Sequence, residues 1–243
     1  MPEFTDQSKR IKTSQYPGRG IVIGQTPDRK HLVQVYWIMG RSEGSRNRIF
    51  VQEDDTVRTW VFDEAKVSKE QLALIAYHPV RVYNTSTHIV TNGDQTDTIL
   101  EHLRNGKTFE SALDTRTWEP DPPINTPRIS GLVDTSTNTG YTDKLGILKT
   151  IQGNADHTSR QYFTYETAVP GFGHCITTYL DNGDPVPSFE GEPYTVALTN
   201  DIAETSNRFW ALLNEDNRVA LLAKFIDPTS NQTSIHIINR YKK

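Results

Sequence analysis

Short runs of hydrophobic residues, many alternating with polar ones, recur along most of this chain and are closed by turn residues. "RGIVIG" from Arg19 and "HLVQVYWI" from His31 flank "QTPDRK", a pattern that predicts two strands and a tight connection. "RIFVQED" and "TVRTWVF" meet at Asp54-Asp55 and predict a hairpin; "VRVYN" and "THIVTNG" around "TST" predict another. The period then changes. "DQTDTILEHLRNG" places Ile99, Leu100 and Leu103 on one face of a helix, with Gly106 placed to end it, and "TFESALDTRTW" continues as a second, short helix. "PRISGLVD", "TGYTDKLGILKTIQ", "RQYFTYETA" and "GHCITTYL" predict strands. A helix over "NDIAETSNRFWALLN", capped by Asn200 or Asp201, precedes two closing strands, "RVALLAKFID" and "TSIHIIN".

This order predicts an α+β protein with mostly antiparallel sheet, not the βαβ alternation of a doubly wound nucleotide-binding fold. Residues 1–15 are polar and predict a loosely docked tail; residues 16–243 read as one domain. The Pro-rich "EPDPPINTP" at 119–127 could mark a boundary, but neither half looks self-sufficient.

Composition narrows the class. Hydrophobic residues make up 35% of the 243, and the abundance of Thr, Asn and Asp points to turn-rich β structure rather than disorder. A net charge of −4 argues against broad binding to nucleic acid or anionic membranes, but leaves room for a local basic pocket. The single cysteine, Cys175, allows no intramolecular disulfide and fits a reducing compartment. The first fifteen residues lack a signal peptide's apolar core, and no run approaches the ~20 apolar residues of a membrane span. The expectation is a cytoplasmic protein without nucleic-acid or membrane partners. Four tryptophans and exposed strand edges leave room for a homo-oligomer.

Metal and dinucleotide chemistry find no motif: the histidines show no HxxxH, no CxxC is present, and neither GxxxxGK[ST] nor GxGxxG occurs. His174 and Cys175, adjacent on a strand, point to opposite faces and cannot form a dyad; a buried, inert thiol is the better reading. Three segments carry more chemistry. "TNGDQTD" at 91–97 is either a turn with Asp94 or Thr96 capping a helix, or a site for ribose hydroxyls and ring N–H groups. "WEPDPPINTPRIS" at 118–130 is either a stiff connector or a rigid mount for Glu119 and Arg128. "GRSEGSRNRIF" at 40–50 holds Arg41, Arg46 and Arg48, as a solvated turn or as an anion site.

Taken in order, "GRGIVIG", "RSEGSRNR", "VRVYN", "TNGDQTD" and "INTPRIS" resemble the archaeal-type IMP cyclohydrolase family, with "NTPRI" and Asn-Gly-(x)2-Thr-Asp as the more specific markers. "GFGHCITTY" and "SFEGEP" look like its longer bacterial members. The resemblance implies a four-layer αββα sandwich similar to the N-terminal-nucleophile hydrolases, without their processed nucleophile. It implies closure of the IMP ring from a formamido-carboxamide purine ribonucleotide, with that small molecule as partner and no cofactor or metal. The implied catalytic group is Arg48, Tyr83 and Glu119. Arg41 and Arg128 would take the phosphate, Asn92, Asp94 and Asn125 would read ribose or base edges, and Asn47 and Thr126 would complete the substrate site. The arginine loop is longer than the archaeal "RSFPNR", which leaves Arg41, Arg46 and Arg48 interchangeable at this stage. Two other readings stay open: an amide hydrolase using Thr13 or Ser14 after processing, and a nucleotide-binding module without turnover.

Overall fold

The computed structural model describes residues 4–68, 72, 75–136 and 142–241. Thr139, Gly140 and Tyr141, the start of one expected strand, lie outside the described residues. The protein is mixed α/β, with two antiparallel sheets. The strands are β1 (Gly20–Gln25), β2 (Leu32–Met39), β3 (Ile49–Glu53), β4 (Thr56–Trp60), β5 (Val80–Asn84), β6 (Thr87–Thr91), β7 (Arg128–Asp134), β8 (Thr142–Ile151), β9 (Asn154–Tyr165), β10 (Phe172–Thr177), β11 (Tyr194–Ala197), β12 (Arg218–Ile226) and β13 (Thr233–Asn239). Helices are α1 (Lys9–Thr13), α2 (Glu43–Arg46), α3 (Gln95–Arg104), α4 (Phe109–Leu113) and α5 (Ile202–Leu212). One sheet runs β11-β10-β1-β2-β12-β13 and the other β3-β4-β5-β6-β7-β8-β9.

β1 and β2 are buried at every position, as their largely apolar sequences require of strands covered on both faces. On one face they meet the second sheet: Gln34 Nε2 donates to the His88 carbonyl at 3.2 Å, and Ile23 packs onto Gly131. A Cβ on Gly131 would come within 2.5 Å of Ile23 Cδ1, so the sheets approach this closely only over glycine. On the other face Trp37 stacks near Phe209 of α5, with ring centroids 6.2 Å apart. The second sheet is two-faced in the same way. Val90 and Leu145 join the core between the sheets, while Ile89, Leu132 and Leu148 join Ile99, Leu100, Phe109 and Leu113 of α3 and α4.

Residues 4–15 dock more firmly than expected. Ile11 of α1 is buried, Asp6 pairs with Arg208 at 2.6 Å, and the same carboxylate accepts from the Ala197 amide at the edge of β11. The arginine segment is not an open turn: Ser42 and Ser45 close a capping box around the one-turn helix α2. That segment crosses from β2 in one sheet to β3 in the other. It therefore sits at the end of the molecule where β1 and β7 begin and where β2 and β6 finish.

Candidate functional site

At that shared end lie two adjoining clefts, of about 720 and 220 Å³, both lined by Glu119 and Asp121. Five strand termini each contribute one residue. Arg19 immediately precedes β1, Arg48 precedes β3, Tyr77 lies just before β5, Asn92 follows β6, and Arg128 opens β7. Antiparallel pairing alternates starts and ends along one edge, which is how residues distant in sequence converge here.

Glu119 is the centre of this arrangement. Its side chain is 16% exposed, one oxygen lies 3.4 Å from Arg19 Nη2, and the other accepts from Asn92 Nδ2 at 2.9 Å. Burial pushes the carboxyl above its ordinary value, and the charges of Arg19, Arg128 and Arg48 offset only part of this. The mount is rigid. The Glu119 amide donates to the Thr126 carbonyl at 2.9 Å, while Asp121 accepts from the Thr126 amide at 2.7 Å and its hydroxyl at 2.5 Å. Thr126 also meets the Tyr179 hydroxyl at 2.8 Å. Thr126 is thus occupied in shaping the loop. Asn125, at φ 51°, turns that loop, reaches only toward the Pro123 carbonyl at 3.5 Å, and lines neither cleft.

Asn92 is fully buried and every polar atom of its amide is used: Nδ2 donates to Glu119 and to the Pro127 carbonyl, and Oδ1 accepts from Gln95 and from the Ile129 amide. It holds Glu119 and has no bond to spare for a ligand. Asp94 stands at the start of α3 but makes no capping bond with its side chain. Its carboxylate instead bridges Arg128, at 2.6 Å, and Arg116. Burial works to raise the Asp94 carboxyl, and the two guanidiniums outweigh it and hold it low. Gly93 is needed beside this bridge, since a Cβ there would come within 2.8 Å of Arg128 Nη1.

The three arginines of the loop now separate. Arg41 is exposed, stacks on Tyr16 and donates to Asn182 and the Gly183 carbonyl. Arg46 is tied to the Gly40 carbonyl and Asn217, away from both clefts. Arg48 alone lines the larger cleft, 5% exposed, with Nε on the Ser45 carbonyl at 2.8 Å. Among the described residues no carboxylate comes within ion-pair distance of it. Burial and then the neighbouring Arg19 charge work against its protonation. Asn47 pins the loop in place, exchanging two hydrogen bonds with the Asp63 backbone at 2.7 and 2.8 Å.

Tyr83 does not join the cluster. It lies on the opposite face of β5, against the apolar residues under α3 and α4, and borders a separate groove. The tyrosine of the site is Tyr77, which lines the smaller cleft, is 7% exposed, and shares a 2.7 Å hydrogen bond with the buried hydroxyl of Tyr36. Burial raises the Tyr77 phenol, while Arg19 and Arg48 draw it back. Arg19, Tyr77, Arg116 and Asp121 were missed in the sequence. Only Arg19 had a visible signal there, a charged residue between two glycines at the start of an apolar strand.

Cys175 is buried on the face of β10 away from His174, its thiol pushed up to about 12 by burial. Among the described residues no group of His, Cys, Asp and Glu could hold a metal ion, and no helix is long and apolar enough to cross a membrane.

Fold and site together define a mixed α/β protein with a charged cleft where the ends of two antiparallel sheets meet. A family model described as IMP cyclohydrolase-like protein matches residues 16–231, and the chain belongs to that family. No curated protein matches it.

Proposed function

We propose that this protein is an IMP cyclohydrolase. It would close 5-formamidoimidazole-4-carboxamide ribonucleotide to IMP in purine synthesis, and catalyse the reverse hydrolysis, as a hydrolase acting on cyclic amidines. The contacts of α5, the two sheets, and α3 with α4 fit the expected four-layer αββα sandwich resembling the N-terminal-nucleophile hydrolases. The observation that carries the proposal is Glu119: a largely buried carboxyl, raised above its ordinary value and fixed by Asn92 and Arg19 at the junction of two clefts, beside a phenol and a guanidinium with no carboxylate partner among the described residues.

Both reacting groups belong to one substrate, so the protein's first task is to hold them in contact. Glu119 takes a carboxamide proton as the nitrogen attacks the formyl carbon. Tyr77, in the role first expected of Tyr83, donates to the oxygen as charge develops on it, and Arg48 stabilises that charge. Water leaves with the formyl oxygen, one carboxamide proton and the formamide proton. Arg128 and Arg116 face the smaller cleft and serve the phosphate or ribose once Asp94 shares them with substrate.

The test is incubation with the formamido ribonucleotide and chromatography for IMP, with Glu119→Gln alongside. IMP from the wild type and not from the variant supports the proposal. A thermal shift with IMP but no turnover indicates a binding module instead.

A further inference from the structure

The bond between the Tyr36 and Tyr77 hydroxyls has a direction that burial decides. Each hydroxyl carries one proton, and among the described residues neither makes another hydrogen bond. Tyr36 is fully buried on β2, between the sheets, so its proton can go only to Tyr77 without being left unsatisfied. Tyr77 borders the smaller cleft and can point its own proton there. The reverse arrangement would strand the Tyr36 proton in the core without an acceptor.

We propose that Tyr36 is a positioning residue for this site: by donating to the Tyr77 oxygen it turns the Tyr77 proton into the cleft and makes it a better donor. Tyr36 touches no substrate. Its ring packs on Phe50 at 5.6 Å and lies beside Ile21 and Leu222 in register, so the hydroxyl is the only part of it spent on the site. A phenol that accepts one hydrogen bond while donating another is polarised, and a donor already aimed need not reorganise when charge develops in front of it. The consequence for catalysis rests on the proposed role of Tyr77; the hydrogen-bond direction does not.

Tyr36→Phe keeps the ring and removes only the hydroxyl. The expected result is a fall in kcat of about tenfold with KM unchanged, because the donor is misaimed in the transition state rather than in binding. Tyr36→Phe added to Tyr77→Phe should cost nothing further, since the first acts only through the second. A second readout needs no turnover. In protein labelled with 3-fluorotyrosine, the residue-77 fluorine line, assigned by its loss in Tyr77→Phe, should titrate at higher pH in Tyr36→Phe. Should Tyr36→Phe fail to fold, the Tyr36 line in Tyr77→Phe gives the same information by moving to lower pH. An unchanged kcat, additive losses in the double variant, or a residue-77 line that stays or moves down would overturn the proposal. Absence of IMP formation by the wild type would sink the cyclohydrolase reading while leaving the fluorine titration to decide the hydroxyl order.

Discussion

Acid should loosen this fold through His88 before it protonates the carboxylates of most surface pairs. His88 is 1% exposed on β6, and its ring faces the space between the sheets. Among the described residues, neither ring nitrogen makes a well-formed hydrogen bond. Burial first, then the buried Lys224 ammonium, hold its pKa down at about 4, against weaker pulls upward from Asp55, the Thr85 backbone and Asp134. The unfolded ring takes its proton near 6.5, so between pH 6.5 and 4 the unfolded chain binds more protons than the folded one. The contribution is therefore complete above pH 6.5 and is lost as the pH falls toward 4. A shift of that size, at ~1.4 kcal/mol per unit, amounts to about 3 kcal/mol. His174, also held at about 4 by burial and stacked on Tyr165 at 3.6 Å, adds a smaller term of the same sign because it is less buried. Urea unfolding at pH 7 and pH 4.5 measures the effect, with His88→Leu as the control. The variant should lose about 2–3 kcal/mol less than the wild type over this interval. Equal losses in the two proteins would refute the reasoning.

The other predictions concern the cleft. If Glu119 is the base, kcat/KM should fall as the pH drops through a value above the ordinary 4.5 of a glutamate, and Arg19→Met should move that limb higher by removing the charge that opposes protonation; a pH–rate profile of both proteins decides it. Asn92→Ala strips bonds from Glu119, Gln95, Pro127 and the Ile129 amide at a fully buried position, and should cost about 2–4 kcal/mol in chemical denaturation; a loss below about 0.5 kcal/mol would mean the network is not stabilising. Arg48→Met should lower turnover by about a hundredfold or more without lowering Tm, since it removes a buried charge that has no carboxylate partner among the described residues, whereas Arg46→Ala should leave turnover near wild type.

Much of the fold was legible because local rules decide it. The hairpins β3–β4 and β5–β6 follow from alternation around polar turns, and α3 and α5 from apolar residues spaced at the helical period. Elements missed include α1, α2 and β11, each only four or five residues long and too short to show a period. In the site, Asn47, Arg48, Asn92, Asp94, Glu119 and Arg128 were named in the sequence, and all of them border one or both clefts. Tyr83 went the other way because a strand sends successive side chains to opposite faces: Val80 and Val82 share the face of Val90 and His88, and Tyr83 shares that of Ile89.

By itself, then, the sequence determined most of the strands, the longer helices, the family resemblance and the three segments rich in chemistry, because each depends on residues close together in the chain. Which arginine enters the cleft, which tyrosine stands beside Glu119, and whether Asn92 meets a ligand or holds a carboxylate were decided only in three dimensions. Those outcomes depend on strand parity, on the order of strands in two sheets, and on hydrogen bonds between residues as far apart as Asn92 and Ile129, or Tyr36 and Tyr77.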